Sequence, residues 1–329
     1  MATSDRLTSS PTSRRSQAIG IAMYLVAAFL FAFNGVLAKT AIEAGLTPLY
    51  MTELRNGGAM IILILAVLFT NPQGFRVQRK ELPFLIVYGV LAFTIVQFLY
   101  FVTISRLPVG IGTLLIFLAP VIVAVWIRFG RKSEVSNRIW VGVALTLVGL
   151  GLVSEAWNGV VFDTVGVIAG LVTAVALALY WILGETGQQK RDALSLTMWG
   201  FIFATLTWSI ISPWWNYPWD VLTRTAAPML NGWPGLPVWL IMLWGVVAGT
   251  VIPFLLVLGS LRRIGAQRAG LVGTTEPLWA AIIALLLLGE VLTPIETLGV
   301  LIVLGGIVIA ETSRKKTSVT PGEFPQIAG

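Results

Sequence analysis

Long apolar stretches alternate with short polar segments from one end of the chain to the other. The runs fall at 19–42, 49–70, 82–104, 109–129, 139–154, 165–184, 194–214, 237–261, 269–288 and 295–310. About 20 apolar residues in a helix, rising about 1.5 Å each, cross the roughly 30 Å hydrocarbon core of a bilayer. Lipid offers no partner to a backbone N–H or C=O, so helices are the expected solution. The pattern predicts an all-α polytopic membrane protein with ten transmembrane helices. The Ser/Thr/Arg-rich segment 1–17 and the segment 312–329 are expected to be disordered cytoplasmic tails. The first span is too long for the apolar core of a secretory signal.

Charge then orients the spans. Eighteen of the 22 Lys and Arg residues fall on one side. They comprise three in the N-tail, three between spans 2 and 3, four between 4 and 5, two between 6 and 7, three between 8 and 9, and three in the C-tail. The other side has Arg106 and Arg224, and Lys39 and Arg55 lie within spans. Basic loops stay in the cytoplasm, so both termini are expected there, in the inner (cytoplasmic) membrane. The net charge of +7 is thus a topology signal, and nucleic acid is not an expected partner.

The second half of the chain echoes the first. Arg106 and Arg263, Pro120 and Pro277, Gly142 and Gly299, and Gly149 and Gly306 are each 157 residues apart, and Gly20 and Gly166 are 146 apart. The long segment 215–236 absorbs the difference in offset. Two five-span repeats are expected, 18–155 and 163–311. Five is odd, so the second repeat crosses in the opposite sense. Inverted repeats are a common plan of secondary transporters, with a site near the midplane where the halves meet.

Several motifs resemble the drug/metabolite transporter superfamily, specifically its EamA type. They are Ile104-Ser105-Arg106-Leu107-Pro108-Val109-Gly110, Leu118-Ala119-Pro120-Val121, Glu276-Pro277-Leu278 and Leu287-Leu288-Gly289-Glu290, followed by the Gly-rich last span from Gly299 to Gly306. The resemblance runs from Ile19 to Glu311 and implies a cell-membrane carrier, often an exporter of amino acids or related metabolites. It does not name the solute.

An ionisable group inside the bilayer is by default a functional candidate. Glu276 leads. It is either a contact for a substrate amine or a proton-coupling carboxylate, or else a structural acid paired with Arg55, Lys39 or hydroxyls. Thr274 and Thr275 precede it, and Pro277 follows. Proline removes a backbone donor, so Pro277, Pro120 and Pro253 are candidate kinks or hinges. Arg55 offers a planar fork for a substrate carboxylate, against a bland pairing with Glu53 or Glu43. Lys39 snorkels, forms a structural pair or contacts substrate. Asn34, Gln97, Tyr100, Tyr180 and Trp181 are candidate cavity residues, against ordinary packing. Trp214, Trp215, Trp219, Trp233 and Trp239 are expected at a headgroup interface.

There is no Cys and no His, which removes disulfides, thiolate chemistry and His-ligated metals. No Walker-type phosphate loop or other cofactor motif appears, so no cofactor is expected and a secondary carrier fits better than an ATP-driven one. The partners implied are a small-molecule substrate, protons if Glu276 titrates, and the lipid bilayer; oligomeric state is left open. The alternatives are an enzyme of lipid-linked substrates, which would want clustered surface carboxylates, and a sensor or scaffold, which would want a soluble output domain.

Overall fold

The computed structural model describes residues 14–119, 121–122, 137–153, 163–227 and 235–312. Pro120, Trp233 and most of the loop between spans 4 and 5 lie outside them, as do both ends of the chain. Among the described residues the regular structure is helical, apart from one isolated β-bridge between Thr225 and Pro237.

The helices, in chain order, are α1 (Arg14–Glu43), α2 (Pro48–Thr70), α3 (Leu82–Arg106), α4 (Val109–Ile116) and α5 (Asn137–Val153). They continue with α6 (Thr164–Gln188) and α7 (Ala193–Ile211). Then comes α8, which runs through Val238–Val246, a π-turn at Val247–Val251 and Ile252–Gly273, and finally α9 (Thr275–Leu288) and α10 (Pro294–Thr312). Seven stretches are long and apolar enough to cross a membrane: α1, α2, α3, α6, α7, Val238–Ile264 in α8, and Leu271–Leu288. In the other three expected spans the described apolar helical stretches are shorter: α4, Trp140–Gly149 in α5 and Pro294–Ile309 in α10.

Two boundaries differ from the sequence reading. Helix α1 begins at Arg14, inside the segment expected to be disordered. A 30-residue helix exceeds the core thickness, so its first turn extends into the polar zone, where Arg14 and Arg15 are soluble. Arg262 to Arg268, read as a loop, are helical within Ile252–Gly273. Arg, Gln, Ala and Leu are good helix formers, and charge alone does not end a helix.

Caps fix the remaining ends. Thr47 caps α2 ahead of Pro48, Asp163 Oδ1 accepts from Gly166 N at 2.8 Å, and Asp192 Oδ1 from Ser195 N at 2.9 Å. Gly289 ends α9 at φ 69°, a left-handed turn that favours glycine.

Packing follows a reciprocal scheme. Helix α1 packs on α8 and α9, and α6 on α3 and α4; α2 packs on α7, and α5 on α10. Each pairing maps onto another, or onto itself, when the helices are advanced by five. Glycines make the closest approaches. A methyl built at Gly20 would meet Arg263 Cβ at 2.9 Å, and one at Gly166 would meet Arg106 Cβ at 3.0 Å. One at Gly149 would strike Gly299 O at 2.7 Å, and one at Gly306 would strike Gly142 O at 2.6 Å. Without a hydrophobic force between helices in lipid, such close contacts are how they associate.

Local irregularities recur in the same way. Helix α3 has a π-turn at Val90–Ile95, and α8 has one starting 157 residues later at Val247. The helical path also breaks at Phe117 and Leu118 after α4, and at Thr274 before α9; Phe117 and Thr274 are again 157 apart.

Candidate functional site

These helices enclose a cavity of about 110 Å³, and Ala92 of the α3 π-turn and Phe117 of the break after α4 line it. Its wall draws on α1, α2, α3, α4, α6, α8 and the first turn of α9. The cavity brings together Asn34, Arg55, Gln97, Tyr100, Tyr180, Trp181 and Glu276, which the sequence had proposed separately. Lys39, Thr274, Thr275, Pro253 and Pro277 do not line it, and Pro120 lies outside the described residues.

Arg55 is held by the irregular backbone of α8. Pro253 has no N–H, so Gly249 O lacks its ordinary helical partner. The π-turn accommodates this, and Arg55 Nη2 donates to Gly249 O at 2.6 Å. Arg55 Nε donates to Thr250 Oγ1 at 2.9 Å, while that hydroxyl donates to Gly245 O at 2.7 Å. The guanidinium lies over the Phe101 ring, 4.8 Å from its centroid. Arg55 Nη1 donates no hydrogen bond among the described residues. Neither expected ion-pair partner is used. Glu53 is two residues away and points to another face of α2, where Ser212 Oγ donates to its Oε2 at 3.1 Å. Asn34 stands against Gly245 and Gly249, where the absence of side chains lets it approach the π-turn.

Glu276 occupies the first turn of α9, not the middle of a continuous span. The reason is local. Pro277 is tolerated only near a helix start, so the chain breaks at Thr274 and restarts at Thr275. Thr274 Oγ1 donates to Leu271 O at 2.7 Å, and Thr275 Oγ1 to Val272 O at 2.8 Å. These two hydroxyls therefore satisfy carbonyls exposed by the break and take no part in the cavity wall. Glu276 has no ion pair or hydrogen bond among the described residues, so its proposed pairing with Arg55 or Lys39 is not made. Its carboxyl group joins Tyr24 and Tyr100 in the wall.

Lys39 is committed elsewhere. It pairs with Glu290 Oε1 and donates to Leu107 O at 3.3 Å. Glu290 Oε2 accepts from Val109 N at 2.9 Å, the first helical N–H of α4. The left-handed turn at Gly289 thus sends Glu290 across to join α1, α4 and α9 outside the cavity. Trp215, Trp219 and Trp239 are exposed, as an interfacial anchor requires, whereas Trp214 Nε1 donates to Ser209 Oγ at 3.0 Å.

Tyr24, Phe31, Thr113, Thr173 and Phe254 complete the site without having been singled out as binding residues. Helical spacing puts Tyr24 and Phe31 near the face of Asn34, a signal legible by extending that face about three turns toward the N-terminus. Phe254 was not legible in the same way, because its position depends on the π-turn before it. It meets Phe93 edge to face, 5.1 Å between centroids, and Phe93 in turn packs at a tilt on Phe201 at 4.3 Å.

A helical chain with several candidate spans, wrapped around a solute-sized cavity lined by a buried cation and a half-buried acid, has the build of a polytopic membrane transporter. Comparison with known proteins agrees. The EamA-like transporter family model matches residues 18–155 and 164–312, and the chain belongs to that family. It is 24% identical over 302 residues to the uncharacterized inner membrane transporter YicL of Salmonella typhimurium, covering 90% of this chain and 96% of the relative. It is 25% identical over 300 residues to the threonine/homoserine exporter RhtA of Escherichia coli K12, covering 88% and 92%. A solved crystal structure matches 92% of this chain and 100% of its own, with a TM-score of 0.59 at 17% identity, which is a likeness of fold. The chain is therefore a multi-pass transporter of the cell membrane that acts on small molecules, and its relatives are named as transporters, not enzymes.

Proposed function

We propose that this chain is a secondary carrier that exports small zwitterionic metabolites of the amino-acid class by alternating access. Its two halves, 18–155 and 163–311, are five-helix repeats of opposite topology, ten spans in all, with both termini cytoplasmic. The reciprocal helix pairs, the mirrored glycine contacts and the matching π-turns and breaks support this plan.

The observation that carries the reading is one cavity holding a guanidinium and a carboxyl that are not paired with each other. Buried charges left apart are costly unless a ligand supplies the partners. A zwitterion brings both: its carboxylate to Arg55 Nη1, its ammonium to Glu276. The cavity is well below the roughly 300–1,000 Å³ of pockets for drug-sized ligands, which favours a small metabolite. Similarity to a threonine/homoserine exporter points the same way. Glu276 is also the group placed to take a proton when substrate leaves.

A thermal-shift screen on the purified protein tests the class. Amino acids should raise Tm, while the matching amines without a carboxylate should not. Arg55→Lys should bind amino acids about tenfold or more weakly, since lysine cannot reproduce the fork. Equal stabilisation by amines and amino acids would remove the zwitterion reading.

A further inference from the structure

We infer that Gln97 presents its amide oxygen as an acceptor for the substrate's ammonium group, and that Asn56 is the positioning residue that turns it there. The inference rests on the amino-acid reading above and adds a second recognition element to it.

The directions of a short hydrogen-bond chain fix the arrangement. The π-turn Val90–Ile95 disturbs the ordinary helical ladder of α3, and Phe93 O within it takes a side-chain partner. Asn56 Nδ2 donates to that carbonyl at 3.0 Å. A carbonyl only accepts, so the amide of Asn56 must direct its nitrogen to Phe93 and its oxygen away. That oxygen lies 3.0 Å from Gln97 Nε2, which must therefore donate. One N–H of Gln97 is thereby committed to Asn56, and its Oε1 is turned away from Asn56. Swapping either amide end for end would set two acceptors or two donors against each other.

Gln97 Oε1 is buried without a hydrogen-bond partner, on a residue that lines the cavity. Asn56 and Gln97 are 0% and 6% exposed, so bulk water does not rescue the acceptor. An unpaired buried acceptor is expensive, and native proteins keep few of them. Glu276 takes one of the three donors of an ammonium group and leaves two for other acceptors. Asn56 is next to Arg55 in α2, so one turn of helix ties both π-turns, that of α3 through Asn56 and that of α8 through Arg55. The acceptor for ammonium and the fork for carboxylate are thereby held on one frame.

The test compares dissociation constants of purified full-length protein for an amino acid and for its des-amino carboxylic acid, with folding checked by Tm. Gln97→Met, close in shape but without the amide, should weaken the amino acid about tenfold or more and leave the des-amino acid within about twofold. Asn56→Leu should show the same selective loss. Asn56→Leu, which leaves Gln97 in place, carries the test if Gln97→Met does not fold. Equal weakening of both ligands, or no weakening, overturns the inference while leaving the zwitterion reading intact. A wild-type protein that binds no amino acid overturns both.

Discussion

Arg55, Glu276 and Lys39 are three charged residues in apolar runs, and the structure gives each a different task. Arg55 and Glu276 face the cavity, while Lys39 closes a contact with Glu290 outside it. All three were visible in the sequence because charge in an apolar run is rare. Which one faces the cavity was not visible, because it depends on partners 194 to 251 positions away. The Lys39–Glu290 pair is mostly buried, with 17% and 18% of the side chains exposed. Lys39→Ala should therefore cost about 2–4 kcal/mol of stability, seen as a lower Tm in detergent, because it leaves Glu290 uncompensated. Lys39→Ala combined with Glu290→Gln should recover much of the loss, and an unchanged Tm in Lys39→Ala would contradict the pairing. At Glu276 the expectation is kinetic. Transport by Glu276→Gln should lose its dependence on a pH gradient across proteoliposomes; full retention of that dependence removes the carboxyl from coupling.

At the scale of the helix, the apolar runs anticipated the seven stretches long and apolar enough to cross a membrane, and proline flagged two of the irregular places. It could not say what form they take. Pro253 follows a π-turn and Pro277 a clean break, and different groups meet the nearby carbonyls. Gly249 O, freed by Pro253, is met by Arg55, whereas at the break before Pro277 Thr274 and Thr275 bond Leu271 O and Val272 O. Polar residues were also misread as a loop between spans 8 and 9, since hydropathy measures solvent preference and not backbone geometry. On the side assigned to the cytoplasm, Arg191 ties the segment after α2 to the start of α7. It donates to Gly74 O at 3.0 Å, Ser195 Oγ at 2.9 Å and Glu81 Oε2 at 2.9 Å. The hydrogen bond from Arg191 holds the Glu81 carboxyl below its usual range. A depressed carboxylate stabilises the fold above its unfolded pKa, about 4.3. That stability is lost as pH falls through the lower folded value. Wild type should therefore exceed Glu81→Gln in stability by about 1 kcal/mol at pH 7, and the gap should close below about pH 4. A gap that persists at low pH would assign the effect to packing. Gly149→Ala should cost about 1–3 kcal/mol, since the new methyl meets the backbone of α10 at Gly299.

For the whole molecule, the sequence offset of 157 residues, found from a handful of Gly, Pro and Arg matches, coincides with the spacing of both π-turns and both helix breaks. The repeat was legible because packing glycines and helix-breaking prolines tolerate few substitutes. The chemistry was less legible, because Arg55 and Glu276 have Phe201 and Ala119 at their repeat positions. The site is an asymmetric feature placed on a symmetric frame. The absence of cysteine makes the orientation easy to check. In intact cells an impermeant thiol reagent should label Asp220→Cys, and should label Gln78→Cys only after permeabilisation. The central claim, that the cavity between Arg55 and Glu276 carries an amino-acid-class solute, is tested most directly by counterflow. Proteoliposomes of the purified protein, loaded with an unlabelled amino acid that stabilises it, should accumulate the labelled form transiently, and Arg55→Lys should lower the initial rate about tenfold or more at limiting substrate. Counterflow of amino acids that Arg55→Lys and Glu276→Gln leave at the wild-type rate would contradict the account.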